Sequence, residues 1–476
     1  MRWIPVRFQL SIWLAVVAAL AYLCRTSISV AEKTIRADLD LTEDMMGFIL
    51  GPAFFWSYAL AQIPGGWSGQ RFGSRRMLPI LSVAFSAATA VVGFAQGAAS
   101  ILAGRIINGM AQAGLFPCSA LSISRWFPQI ERALASGILG AAMSTGAAVG
   151  AALTGELLKI LNWRIIFCLY AVPGVVWAVG FHRWFRETPA EHPGVDQAEA
   201  GRIAGRKTSA RASATALATD RKQSGRHAVP DGAGSEASLS DPGTTEGLET
   251  RIPLTPLEQP PIPWYRLISS LALWQICGQQ FFRAAGQAFF ASWFATYLQE
   301  TRGVTTAESG WLLTIPLICT VAASLTGGVV SDAVFRKTGN LTLARSGLAA
   351  FCLAVCALLV WCAFFVEDAV VATIVIGAGA FFGGVAGPCA YASTMDIGGR
   401  NVAPVFSTMN MIGNFGAGLL PVVAPQFRKW VAETPWVLDL AGGNSWNAVL
   451  ILFGSMYFLA ALCWATLRVR EGSLDA

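Results

Sequence analysis

Three arginines stand in apolar stretches of this sequence, each flanked at helical spacing by hydrogen-bonding side chains. Arg25 has Tyr22 one turn earlier, Arg105 has Gln112 at i+7, and Arg283 has Gln280 at i−3 and Gln287 at i+4. On a helix those spacings share one face. A guanidinium stays charged, and its planar fork donates two parallel hydrogen bonds, which suits a carboxylate. Tyr58, Asn410 and Asn414 are neutral groups in similar surroundings, suited to hydroxyls. A charge inside a membrane costs several kcal/mol, so it serves a pathway or finds a partner. The plainer alternative is that the arginines brace backbone carbonyls or reach the interface on their stems. Asparagine can likewise be helix-to-helix glue.

Covalent chemistry is not expected. No nucleophile–base pairing or metal-ligand cluster lies in the apolar stretches, and His182, His192 and His227 flank or fall within one polar segment. Cys118, Cys168, Cys319, Cys352 and Cys356 lie in apolar runs with no C-x-x-C pair, so they are expected as packing residues. The sequence is read as that of a non-enzyme with no metal and no cofactor.

The elements that must position these residues are membrane spans. The 476 residues are 54% hydrophobic and 13% charged, with a mean hydropathy of +0.53. Soluble proteins carry about 25% charged residues. Apolar stretches fall near 8–30, 45–67, 77–97, 99–124, 134–158 and 164–185, and again near 268–298, 309–331, 346–366, 369–394, 403–426 and 446–467. Each has roughly the 20 residues that a bilayer core demands. The first, with Arg2 and Arg7 before it, reads as a span rather than a cleaved signal, because Arg25 and a further apolar segment follow at once. The net charge of +6 is spread over short loops, where it is a topology signal and not a nucleic-acid footprint. Arg71, Arg75, Arg76, Arg125, Arg132, Arg336, Lys337, Arg345, Arg400, Arg468 and Arg470 fall on one side; Glu32, Asp38, Asp40, Glu43 and Asp44 fall on the other. Both termini are therefore expected in the cytoplasm. Residues 186–263 contain no Phe, Trp or Tyr before Pro263 and read as a disordered cytoplasmic linker. The expected organisation is a bundle over 1–190, a linker over 191–262 and a second bundle over 263–476.

The halves echo one another. Span 2 ends in Gly65-Gly66-Trp67-Ser68-Gly69-Gln70-Arg71-Phe72-Gly73-Ser74-Arg75-Arg76, and span 8 in Gly327-Gly328-Val329-Val330-Ser331-Asp332-Ala333-Val334-Phe335-Arg336-Lys337. Small residues permit close backbone approach, and the basic ones anchor the turn. Gly66, Arg71, Gly73, Arg75, Arg76 and Asp332 are the gating candidates.

These residues resemble the major facilitator superfamily and, within it, the anion:cation symporter family. Phe54-Phe55-Trp56-Ser57-Tyr58-Ala59-Leu60-Ala61-Gln62-Ile63-Pro64-Gly65-Gly66-Trp67 is similar to its span-2 signature. Arg125-Trp126-Phe127-Pro128 with Glu131-Arg132, Asn162-Trp163-Arg164 with Phe167, Trp184-Phe185-Arg186 with Pro189 and Glu191-His192-Pro193, and Asn410-Met411-Ile412-Gly413-Asn414 with Pro421 follow in family order. The resemblance implies an all-α membrane protein, with twelve transmembrane helices in two six-helix bundles around a central cavity open to each side in turn. It implies import of a small organic anion, a sugar acid or other carboxylate, with a cation, H+ or Na+. Tyr22 and Arg25 stand where the family places a substrate group, and Arg105 where it has a buried coupling arginine. The setting implied is a bacterial inner membrane, and the protein is expected to be a monomer in the bilayer.

Three positions break the family pattern. Cys24 and Gln112 stand where the family has its acids, and Gln70 replaces the usual Asp. An amide does not titrate, and a buried thiol titrates above about 8.5. An anion entering against about 100 mV, inside negative, meets an opposing term of about 2.3 kcal/mol per charge. Either another carboxylate carries the proton, with Glu156 the leading intramembrane candidate, or the protein is an exchanger or uniporter, or the solute is neutral. A membrane sensor signalling through the linker is a reading of another class.

Overall fold

The computed structural model describes residues 4–203, 267–304 and 306–471. The helical body comprises Met1–Val195 with Ile262–Ala476, and Asp196–Pro261 is a separate unit. From residue 204 onward the expected linker lies outside the described residues.

Described in chain order, the first half holds α1 (Val6–Val30), short helices α2 (Glu32–Asp38) and α3 (Glu43–Leu50), α4 (Pro52–Phe72), α5 (Ser74–Gly93), α6 (Ala98–Ala113), α7 (Leu115–Trp126), α8 (Arg132–Leu157) and α9 (Trp163–Trp184). The second holds α10 (Leu271–Ser292), α11 (Phe294–Arg302), α12 (Thr306–Thr338), α13 (Leu348–Cys362), α14 (Ala369–Gly398), α15 (Val402–Ala432), α16 (Pro435–Leu440) and α17 (Ser445–Thr466). Asn162, Asp368 and Asn444 cap α9, α14 and α17, their side chains accepting from backbone N–H groups at 2.9, 2.8 and 2.9 Å.

Three expected spans are broken. The second comprises α3 and α4, split at Gly51-Pro52, where proline supplies a first helical residue that needs no donor. The fourth comprises α6 and α7. They meet at Gly114, because Pro117 lacks the N–H that would bond the Ala113 carbonyl. The seventh comprises α10 and α11, divided at Trp293.

Twelve membrane crossings result, in two six-helix bundles. Nine helical segments among the described residues are long and apolar enough to cross a membrane by composition alone. The long helices α4, α10 and α15 fall short of that standard. They carry Tyr58 and Gln62, Gln279 to Gln287, and Asn410 and Asn414, so their polarity reflects neighbours other than lipid. Within the first bundle α1 packs on α8, α4 on α6 and α5 on α9; within the second α10 packs on α15, α12 on α14 and α13 on α17. The crossings thus pair as first with fifth, second with fourth and third with sixth in both halves. The weak sequence repeat has become a repeated packing scheme.

The bundles meet where the basic turns lie, here called the basic end. The contacts run between α8 and α12, α4 and α15, and α7 or α8 and α14. A Cβ on Gly66 would sit 2.0 Å from Ser407 Oγ and 2.8 Å from the Ala403 carbonyl, so only glycine lets α4 reach α15 there. At the far end Asp38 accepts from Trp163 Nε1 at 3.1 Å and from Arg164. Those two donors hold its carboxyl below the usual carboxylate range.

Gly73 turns the chain between α4 and α5 with φ +82°, a conformation that side chains other than glycine resist. A Cβ there would also meet Glu187 Oε1 at 2.5 Å. Gly73→Ala is expected to destabilise the protein by about 1 kcal/mol or more, seen as a lower unfolding midpoint of the purified protein in detergent. An unchanged midpoint would show that the turn tolerates another conformation.

Candidate functional site

Arg25 points its guanidinium into a cage of rings. Its Cζ lies 4.6 Å from the Phe54 and Phe55 centroids, 5.2 Å from Tyr22 and 5.5 Å from Tyr58. Tyr22 is itself held edge-on by Phe116. Aromatic faces attract a cation without neutralising it. Among the described residues Arg25 has no hydrogen-bond or ion-pair partner, and it is half-buried. Its charge is positioned and uncompensated.

Arg283 presents the same situation from the other half. Nη2 donates to Gln280 Oε1 at 2.9 Å and Nη1 reaches Gln287 Oε1 at 3.4 Å, while Nε is buried without a partner. The expected shared face of Gln280, Arg283 and Gln287 is present, with Gln280 buried and Gln287 exposed. Two neutral amides orient this fork, and no acid among the described residues pairs with it. A cross-half hydrogen bond runs from Asn410 Nδ2 to Tyr58 Oη at 3.2 Å, with Asn414 bonded back to the Asn410 carbonyl at 2.8 Å.

Arg105 is placed differently. It is 3% exposed, and donates to the Ile49 and Leu50 carbonyls at 3.3 and 3.4 Å. Those carbonyls end α3, so Arg105 braces the break between α3 and α4. Its guanidinium lies 4.6 Å from Phe54, the ring that Arg25 also uses. Its Nε and Nη2 face protein carbonyls, so a bracing role accounts for its place beside Phe54.

The expectation for Glu156 is corrected. It lies one residue before the end of α8, paired with Lys159 at 2.8 Å, with side-chain exposures of 72% and 66%. A carboxylate so exposed does not occupy the interior position expected of it. Where the family acids would stand, the groups are neutral. Cys24 Sγ faces the Tyr170 carbonyl at 3.8 Å; Gln112 Nε2 donates to Asn108 Oδ1 at 2.7 Å and to the Ala21 carbonyl at 3.2 Å; Asn108 Nδ2 reaches Thr89 Oγ1 at 3.0 Å.

At the basic end two acids and two bases form a buried cluster that joins the halves. Arg345 Nη1 donates to Asp332 Oδ1 at 2.8 Å, its Nε to Asp396 Oδ2 at 3.2 Å, and its Nη2 crosses to the Gln129 carbonyl at 2.8 Å. Arg132, from the first half, donates to Asp396 Oδ1 at 2.8 Å. Asp332 accepts from Leu134 N at 2.8 Å and Ala133 N at 3.4 Å, capping the start of α8 across the interface. Asp332, one of the gating candidates, is a member of this cluster. Asp396 and Arg345 were missed as partners. The signal was Asp396 itself, a lone acid closing a long apolar run.

The first-half gating candidates do less. Arg75 donates its backbone N–H to Glu187 Oε1 at 2.6 Å, and Arg125 pairs with the same carboxylate. Arg71 stacks on Trp67 and Phe72, and Arg76 is exposed. Glu187 thus anchors the α4–α5 turn to α9 within its own half, whereas Asp332 crosses to the other. Apolar grooves between α5 and α9, lined by Phe94, Leu169 and Val172, or by Val83 and Val176, touch none of these groups.

A multi-pass membrane transporter is the class that this fold and the family match define. The Major Facilitator Superfamily pattern matches residues 14–278 and 276–475. The chain is 26% identical over 421 residues to the probable sulfoacetate transporter SauU of Cupriavidus necator, covering 88% of this chain and 86% of that protein. It is 26% identical over 453 residues to the probable galactarate/D-glucarate transporter GudP of Bacillus subtilis, covering 94% and 90%. A D-galactonate transporter of Escherichia coli is 28% identical over 341 residues, 71% and 70% of the two chains. The proton:xylose symporter XylE bound to 6-bromo-6-deoxy-D-glucose shares the fold with a TM-score of 0.65 at 15% identity over 98% of both chains. The human organic anion transporter MFSD10 does so at 0.62 and 13% identity, over 97% and 100%. This chain belongs to the Major Facilitator Superfamily, in its anion:cation symporter family.

Removing one member of a buried ion cluster costs about 3–5 kcal/mol, because its partner stays buried and uncompensated. Asp396→Asn should therefore lower the unfolding midpoint and loosen the basic end. In the Ala133→Cys background it should speed labelling of that position by a polar thiol reagent, read by mass spectrometry. Unchanged labelling would mean that the cluster does not hold the halves together.

Proposed function

We propose that this protein is a secondary transporter that moves a small organic anion, a sugar acid or other carboxylate, by alternating access. The observation that carries this reading is the guanidinium of Arg25, held by four rings and left without an acid among the described residues. A group so placed offers two donors and an unneutralised charge to a carboxylate. Hydroxyls of such a solute find Tyr22, Tyr58, Asn410 and Asn414 nearby. Sulfoacetate, galactarate, glucarate and galactonate, named for the relatives, make the natural screening panel. In this reading the basic end faces the cytoplasm of a bacterial cell, the central cavity faces outward, the basic-end cluster is the inner gate, and the 191–262 segment is a tether.

The neutral Cys24, Asn108 and Gln112 favour a second reading of the energetics, exchange or uniport of the anion without a proton carried in the first bundle. Uptake of labelled panel compounds into proteoliposomes, with and without an imposed proton gradient, separates the two. Symport predicts faster or greater accumulation with the gradient; exchange predicts stimulation by unlabelled anion on the opposite side.

Arg25→Ala is expected to abolish transport while the protein still reaches the membrane. Arg105→Ala should instead lower stability, with residual transport per folded molecule. Transport at normal affinity in Arg25→Ala would refute the anchor role.

A further inference from the structure

The third and sixth crossings leave a trough on a surface that they turn to lipid. α5 and α9 run antiparallel along it, with Gly93 against Arg164 and Cys168 at one end and Ser82 donating to the Gly174 carbonyl at 2.8 Å further on. Small Ala87, Ala90 and Ala171 line it between the longer, exposed Val83, Leu169 and Val172. Its two parts meet at Val172 and have cavity volumes of about 560 and 330 Å³, within the range of small-molecule sites.

The trough has one charged end. Arg164 and Gln96 line it at the far end of the molecule, and from there to Val83 and Val176 its lining carries no charge. From Val83 to Gly93 the helix rises about 15 Å, at about 1.5 Å per residue. That is half of a hydrocarbon core about 30 Å thick. The trough is therefore one leaflet deep, with its charge at the interface. A helix from a second copy would cross both leaflets and would need a seam about twice as long. Arg164 is held in place at the mouth: its guanidinium lies 4.3 Å from the Trp163 ring, Nη1 donates to Asp38, and Nη2 donates to the Ala95 carbonyl at 3.2 Å. A guanidinium has five N–H groups, so donors remain on a side chain that is 34% exposed.

We propose that this trough is a phospholipid site, with one acyl chain lying along α5 and α9 and the phosphodiester held by Arg164. Hydrocarbon alone fills an apolar groove; the arginine at its mouth selects a lipid that brings a phosphate to interface depth, through charge-assisted hydrogen bonds. None of the residues proposed to meet the solute lines the trough, so the site is independent of the transport reading.

The test is native mass spectrometry of the purified full-length protein titrated with phosphatidylglycerol or phosphatidylethanolamine. Diacylglycerol, which has the chains and no phosphate, and glycerol phosphate, which has no chains, are the controls. Both phospholipids should bind at least about tenfold more tightly than diacylglycerol, a difference of about 1.4 kcal/mol, and glycerol phosphate should not bind. Ala87→Trp, which fills the trough from an exposed position, should weaken phospholipid binding at least about tenfold. Arg164→Gln should erase the advantage over diacylglycerol, and Arg164→Lys should keep part of it. Asp38→Asn, which breaks the ion pair and leaves the cation, should keep all of it. Size-exclusion elution at the wild-type volume checks that each variant is folded, and Ala87→Leu replaces Ala87→Trp should the larger ring fail that check. Phospholipid binding unchanged by Ala87→Trp or by Arg164→Gln, diacylglycerol binding as tight as phospholipid, or a loss in Asp38→Asn as large as that in Arg164→Gln would each overturn the proposal. So would a dimer that Ala87→Trp dissociates, which would give the trough to a second copy of the chain.

Discussion

An ionised side chain removed from water must be neutralised by something, and the two ends of this molecule meet that requirement in opposite ways. At the basic end Asp332, Asp396, Arg132 and Arg345 neutralise one another with nothing left over. Arg25 and Arg283, one in each half, have no acid paired with them among the described residues. The first arrangement is complete without a ligand, and in the proposed reading a solute completes the second.

The two arrangements are joined through shared helices. Asp332 caps the start of α8, Gly66 lets α4 touch α15, and Tyr58 on that same α4 bonds Asn410 on that same α15. The buried ion cluster adds charge-assisted hydrogen bonds between the same two halves.

Burial also divides the three arginines. Arg105 donates to the last carbonyls of α3, groups that any helix end leaves without partners. It carries the same charge as Arg25 and lies against the same ring, yet its Nε and Nη2 already donate to protein carbonyls. What separates a structural arginine from a binding one is whether protein acceptors already fill the fork. A sequence does not display that.

Much of the fold was legible along the chain. Bilayer thickness and hydropathy set the number and position of the crossings, and the Gly-Gly repeat announced two halves, because lipid selects apolar runs of one length wherever they fall. The breaks at Gly51-Pro52 and Gly114 were less visible, since they depend on where a missing donor is compensated. Among site residues, the common face of Gln280, Arg283 and Gln287 followed from helical geometry alone. Glu156 shows the limit: its position near a span looked intramembrane, but helix length put it at an exposed end beside Lys159. The sequence by itself determined which residues are charged, which face of their helix they occupy and which stretches enter the membrane. Only the tertiary structure decided that Asp396 joins Arg132 from 264 positions away and that four rings surround the Arg25 guanidinium. Electrostatic pairing acts through space between helices, and the pairing of helices is settled by the packing of both halves together.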